Sequence, residues 1–477
     1  MEKFYQKVDG MVQKFDLIFK LLLITVGFLH ASSLTFGRPI ISWVQWPMFL
    51  LGAVLVLYRL LFFKKYLSSR GIVFLVLFAF SYAISSIYTL QYGIHENLRF
   101  LAFMVLQFGL LYAFDSARDP EQNRRQLRSC MQYYLLLCGL LSAASFVFMS
   151  LNFVRTYAPE AGAEGPVYYI GFIHGRLFGA YWDPNIAATM AAVAVLISVF
   201  FLIREKRLFC RILYGVNIIL QISYITFSDS RTGKMCLIAG TVLVTLLLAV
   251  KYFPVKQKFL RTISIVLLIS LTAGVAYAIP WGIRTGYNFA VSQTAPFVPQ
   301  PGIDPVIPPE EDDSIGRGED LIADPSNRRF DIWKSAVEVF RTSPVLGVSR
   351  GNILRYVDEH LPDSYLVQND HMRFESMHNL FFEILVSQGL LGIILFLLFA
   401  IWSVWGILRS WKVLWNSENY VFYVLIISIL GVVCCSSLVM MEIVYVTSPI
   451  SSLFWLSLGC LNQSLAAESK KSQFLSE

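Results

Sequence analysis

Apolar runs of about 20 residues, the length that crosses the hydrocarbon core of a bilayer, recur along this sequence from Phe15 onward. A chain with many such runs has lipid rather than water as its main solvent. Composition agrees: 56% of residues are hydrophobic, 15% are charged and the mean hydropathy is +0.59, a combination rare in soluble domains. The expected class is an all-α polytopic membrane protein.

Twelve runs qualify, near residues 15–34, 42–62, 71–90, 97–114, 131–151, 185–203, 209–226, 235–250, 261–280, 379–407, 420–441 and 446–462. The connecting segments support that count. With the amino terminus inside, each inner segment, such as "FFKKYLSSR", "IREKRLFCR" and "LRSWKVLW", carries at least two Lys or Arg, and short outer loops such as "VYVTS" are sparse. This is the positive-inside pattern; one span more or fewer would invert half the loops. Both termini are therefore expected in the cytoplasm. The formal charge of +7 is assigned to orienting the helices rather than to nucleic acid. The first run lacks a small-residue cleavage site and reads as a retained span. Seven cysteines show no CxxC or Cys/His spacing, so neither disulfide nor structural zinc is expected.

The expected organisation is nine spans over residues 1–280, a large outer loop over 281–377, three spans over 378–462 and a cytoplasmic tail over 463–477. Residues 292–325 of the loop are rich in Pro, Gly and acid and are expected to be extended or mobile. Residues 326–377 are expected to be helical. In "SNRRFDIWKSAVEVFRTSP", Phe330, Trp333, Val337 and Phe340 recur at three- and four-residue steps. That spacing predicts an amphipathic helix starting near Ser326 or Asn327 and ending before Pro344, apolar side on the membrane. A shorter outer loop spans about 152–185.

Polar chemistry collects on the outer side. All six histidines fall there in this topology. Arginines in outer loops run against positive-inside sorting and need a reason; they include Arg38, Arg176, Arg231 and Arg329. Arg231, in "SDSRTGKM", either snorkels to lipid phosphate or binds an anion through its guanidinium fork. Arg329 opens the amphipathic helix, where cations serve no capping purpose, and with Arg328 makes an anion-attracting corner. Arg176, in "GRLFGAYWDPNIAATM", has Asp183 as a structural partner, and Asn185 is a candidate cap for the sixth span. In "SMHNLFFEILVSQGLLG", a continuous helix puts His378, Phe382, Leu385, Gly389 and Gly392 on one stripe, with Gly389 about 16 Å below His378. Asn379 and Glu383 lie on an adjacent face. The stripe thus combines a proton-transfer group with a shallow groove; the bland alternative is an interfacial His above a small-residue packing seam.

These segments resemble the O-antigen ligase and polymerase family. His378, Asn379, Gly389 and Gly392 fit its His-Asn motif at full spacing, "GRLFGAYWDPNIAA" resembles its Arg-Gly-Pro-Asn segment with Asp183 in the place of Asn, and "SDSRTGKM" its Ser-Arg segment with Met235 where the ligases often have Leu. "RFDIWKSAVEVFRTSPVLGVSRGN" resembles the outer-loop segment ending in Pro-x-x-Gly. The resemblance covers roughly the second half of the chain and the span count. It implies a GT-C-like glycosyltransferase in the bacterial plasma membrane, with its site on the outer face and no metal or other cofactor. The implied partners are a polyprenyl (undecaprenyl) diphosphate-linked oligosaccharide, an acceptor glycan and the bilayer, with a chain-length regulator admitted. The expected roles follow: Arg231 and Arg329 on the diphosphate, Arg176 and Arg38 more weakly, His378 as general base for an inverting transfer, Asn379 and Glu383 orienting His378 or the sugar, and Gly389 and Gly392 lining a groove for the lipid chain. Polymerase is preferred to ligase on the Pro-rich acidic insertion and Met235. A transporter of polyprenyl-linked glycan is the reading from another class, disfavoured because mid-span charges are scarce.

Overall fold

The computed structural model describes residues 2–35, 38–157, 167–293, 315, 328–369 and 373–474. The described residues are mainly helical and include one small sheet. Helices α1 (Glu2–Ala31), α2 (Pro39–Leu61), α3 (Ile72–Tyr88), α4 (His95–Leu106), α5 (Pro120–Ser150), α6 (Pro184–Arg204), α7 (Leu208–Phe227), α8 (Arg231–Tyr252) and α9 (Lys258–Gln293) come before the large loop. Then come α10 (Arg329–Thr342), α11 (Ile353–His360), α12 (Leu380–Arg409), α13 (Trp411–Asn416), α14 (Tyr420–Ser436) and α15 (Pro449–Phe474). Each of the twelve apolar runs overlaps one of these helices. Seven described helices, α2, α5, α6, α7, α8, α9 and α12, are long and apolar enough to cross a membrane. The protein is a polytopic helical membrane protein. Most of the Pro-rich acidic segment expected to be mobile, the expected start of the amphipathic helix at Ser326 or Asn327, and His371 lie outside the described residues.

The chain divides into two compact units. One comprises residues 31–34 and 135–327. Its axis is α6, whose alanines Ala187, Ala188, Ala191, Ala192 and Ala194 are all buried. Small side chains let neighbours approach closely, as membrane helices require: a Cβ at Gly233 of α8 would collide with Ala188. Polar side chains bridge α6 and α7, where Asn217 Nδ2 donates to Ser198 Oγ at 2.9 Å. Asp183 caps α6 by accepting from the amides of Asn185 (2.7 Å) and Ile186 (3.4 Å). The cap is thus Asp183, not Asn185, because the Asp183-Pro184 step leaves Asp183 extended just ahead of the first turn. Helix α9 runs on to Gln293 instead of ending near residue 280, carrying Pro280 within it. That moves the start of the large loop outward by more than three turns.

The described residues of the 152–185 loop include a small sheet. Strands β1 (Arg155–Tyr157), β2 (Tyr168–Ile173) and β3 (Arg176–Gly179) form an antiparallel sheet in the order β1-β2-β3. Ile173 pairs with Arg176, so His174 and Gly175 make a two-residue hairpin turn. Both have positive φ, 53° and 65°, the signature of the type I′ turn whose twist matches paired strands. This hairpin delivers Arg176 to its buried position.

The other unit comprises residues 1–30, 35–134 and 328–477. It contains a small apolar core in which Ile332, Ala336 and Val339 of α10 meet Ile353, Val357, Leu366, Met377 and Val386. Of the residues in the apolar repeat, Trp333 packs against this core and Phe330 does not. Phe330 is 68% exposed, while Ile332, Ser335, Ala336 and Val339 are buried. Both faces carry apolar residues, so periodicity predicted the helix correctly and left its facing to tertiary packing.

Candidate functional site

His378 does not lie on a helix. It precedes α12 with φ +48°, in the left-handed region that non-glycine residues seldom adopt. Several bonds hold the backbone there. Upstream, the Met377 amide donates to Glu383 Oε2 at 2.8 Å, and the Met377 carbonyl accepts from Trp333 Nε1 at 3.0 Å. The His378 amide donates to Ser376 Oγ at 3.2 Å. Downstream, Asn379 caps α12, accepting from the amides of Phe381 (2.9 Å) and Phe382 (3.2 Å). Its Nδ2 donates to the Leu438 carbonyl at 2.8 Å, and the Leu380 amide to the Ser437 carbonyl at 2.9 Å. Met377 and Leu380 are buried, whereas His378 is only half-buried. A mostly fixed backbone thus presents one partly accessible imidazole.

Glu383 is fully buried. Its Oε2 also accepts from Ser376 Oγ at 3.0 Å, and its Oε1 lies 2.7 Å from Arg350 Nε. That contact is charge on charge rather than an aligned N–H···O bond, since neither atom meets hydrogen-bond geometry with any partner. Burial is affordable for this carboxylate because a guanidinium neutralises it and two donors satisfy its second oxygen. Asn379 and Glu383 are therefore engaged with the 376–383 segment, with Leu438 and with Arg350.

Gly389 and Gly392 do not line an open groove. Helix α12 breaks at Gly389, where φ is 59° and ψ is −155°. A Cβ there would sit 2.5 Å from the Val345 carbonyl carbon and oxygen and 2.7 Å from Pro344 O. The backbone of the Pro344-to-Gly347 turn fills the space instead. The amides of Leu390 and Leu391 donate to Pro344 O (2.8 Å) and Val345 O (3.2 Å), and those of Val348 and Ser349 to Val386 O (2.8 Å) and Ser387 O (2.9 Å). Gly347 in turn packs on the Val386–Gln388 backbone. The Cβ position at Gly392 is taken by Gln388 of its own helix. The single stripe from His378 to Gly392 does not form, because it assumed one uninterrupted helix. What Gly389 accommodates is the protein's own Pro344-to-Gly347 turn, inserted into the break.

In the other unit, Arg176 is buried. Its Nε donates to the Ser228 carbonyl at 2.8 Å and its Nη2 to Asn185 Oδ1 at 3.0 Å. Ser230 donates to the same Asn185 oxygen at 3.0 Å and caps α8 by accepting from the Gly233 amide. Between them Asp229, at φ +46°, receives Lys234 at 2.8 Å and Arg284 at 3.3 Å. Arg231 begins α8 with its side chain exposed. Arg38 is exposed at the N-cap of α2, and Arg329 is half-buried at the first turn of α10.

Sequence reasoning missed Arg350, Asp229 and Arg284. The signal for Arg350 lay in plain view, an arginine inside the matched "SPVLGVSRGN" segment, but only the fold shows that it is buried. Asp229 sits directly beside Arg231 and is the anion that Lys234 and Arg284 share.

Fold and site together define a polytopic membrane protein that holds a histidine in strained, well-braced backbone ahead of a broken helix. Residues 185–397 match the family described as O-Antigen ligase. An uncharacterized protein of Haemophilus influenzae is 25% identical over 211 residues, 44% of this chain and 46% of that protein. The chain spans about half the length of this curated relative. The match over residues 185–397, a little under half of the chain, supports the resemblance to the O-antigen ligase and polymerase family.

Proposed function

We propose that the protein is a polymerase of surface polysaccharide. It transfers a glycan from a polyprenyl diphosphate carrier to the hydroxyl of an acceptor sugar at the outer face of the plasma membrane. The acceptor oxygen attacks the anomeric carbon as the bond to the diphosphate breaks. His378 takes the hydroxyl proton, the diphosphate departs with the bonding electrons, and the anomeric configuration inverts. The observation that carries this reading is the partly accessible His378, braced through its neighbours on both sides in left-handed backbone, within the family-matched segment.

The leaving diphosphate needs fixed positive charge, and guanidinium suits it without a metal or other cofactor. We assign that role to Arg231, supported by its exposed position on the first turn of α8. Arg329 is assigned the same kind of ligand, and Arg38 a lesser part. Arg176 is given a bracing role, since its bonds to Ser228 and Asn185 support the loop that carries Arg231. Arg231→Lys keeps the charge and loses the fork. We expect it to lose most activity, measured as glycan chain formation in cells complemented with the variant; wild-type activity would rule out bidentate phosphate binding.

A ligase is the second reading, favoured by the description of the matched family. Deleting the gene and running the surface glycan on a gel separates the two. Single repeat units indicate a polymerase, long chains retained on carrier lipid indicate a ligase, and an unchanged profile removes both.

A further inference from the structure

Arg350 has no part in the reading above, yet the structure has built a place for it. Residues 349–352 are anchored from both ends. Asn97 Oδ1 accepts from Ser349 Oγ at 2.6 Å and from the Gly351 amide at 2.8 Å, and Asn352 Nδ2 donates to Thr89 O at 2.9 Å. Ser349 itself takes φ +64°. So held, the Arg350 side chain, 9% exposed, reaches the fully buried Glu383 and lies with its guanidinium carbon 5.7 Å from the Phe100 ring centroid.

From Glu383 the connections lead to His378. One carboxylate oxygen faces Arg350; the other accepts the Met377 amide and the Ser376 hydroxyl, and that hydroxyl accepts the His378 amide. We infer that Arg350 is a positioning residue, which holds Glu383 where its second oxygen accepts from residues 376 and 377 and thereby sets the backbone from which His378 projects. Without the guanidinium, the buried Oε1 loses the charge beside it, and the hold of the carboxylate on residues 376 and 377 weakens. A group that must sit within hydrogen-bonding reach of a hydroxyl tolerates little displacement.

This inference rests on His378 being the proton acceptor only for its consequence in transfer; the positioning itself is measurable without substrate. The full-length protein is placed in lipid nanodiscs and treated with diethylpyrocarbonate, and carbethoxylation of His378 is followed by peptide mass spectrometry. His174, exposed at the hairpin tip, is the internal reference. Arg350→Gln and Glu383→Gln are expected to change the His378 rate by about threefold or more relative to His174, because small changes in surroundings move imidazole reactivity. Arg350→Lys is expected to restore much of it. Glycan formation in complemented cells is expected to fall by about 10²-fold in the Gln variants, the cost of a misplaced reacting group. Should Arg350→Gln not accumulate, Ser376→Ala carries the same test, since it removes only the hydroxyl link. An unchanged His378 rate in a folded Arg350→Gln or Ser376→Ala variant overturns the inference. If the rate responds but His378→Asn still forms glycan normally, the positioning stands and the general-base role is what fails.

Discussion

Replacing His378 with alanine is expected to lower glycan transfer by about 10²–10⁴-fold, the usual worth of a positioned general base. The sharper variant is His378→Asn. Asparagine tolerates left-handed backbone about as well as histidine does, so the φ of +48° is retained while the proton acceptor is lost. Because the backbone on either side is held by Glu383, Trp333 and Asn379, the fold should not depend on the imidazole. The measurement is the surface-glycan profile of a deletion strain carrying each variant, with membrane accumulation checked by immunoblot. Near wild-type chains from a normally accumulating His378→Asn protein would remove His378 from the chemistry.

The second large effect concerns folding. Gly389→Ala places a side chain at φ 59° and ψ −155°, a region that is essentially restricted to glycine. The new methyl also meets the Pro344–Val345 backbone at 2.5 Å. Either the helix break or the inserted segment has to move, and the bonds from Leu390 and Leu391 are the first to go. Strain and lost hydrogen bonds together amount to roughly 3–5 kcal/mol. We expect a markedly lower melting temperature in detergent and poor accumulation in membranes. Gly274→Ala is the control. Its Cβ meets nothing within 4 Å in α9, and removing a helix-interior glycine there should be neutral or stabilising by up to about 1 kcal/mol. Equal melting temperatures for the two variants would mean that the glycine break is not what holds residues 344–349 in place.

The sequence by itself determined the helices, because apolar run length and spacing are local properties that lipid and the backbone both enforce. Each expected run overlaps a helix, and α10 ends before Pro344 as its spacing implies. It also singled out His378, Asn379 and Gly389, since these residue types are out of place in an ordinary membrane helix. The tertiary structure alone decided what they do. His378 lies outside the helix, Asn379 is the cap, and Gly389 receives backbone rather than lipid. A helical wheel could not show this, because it assumes the regularity that Gly389 breaks. Which face of α10 is buried, that Asp229 gathers Lys234 and Arg284, and that Arg350 meets Glu383 were likewise invisible. Asp229 and Arg284 lie 55 residues apart, and pairing between distant positions leaves no mark in local pattern. It follows from which charges the fold removes from water, since each charge so buried must find its opposite.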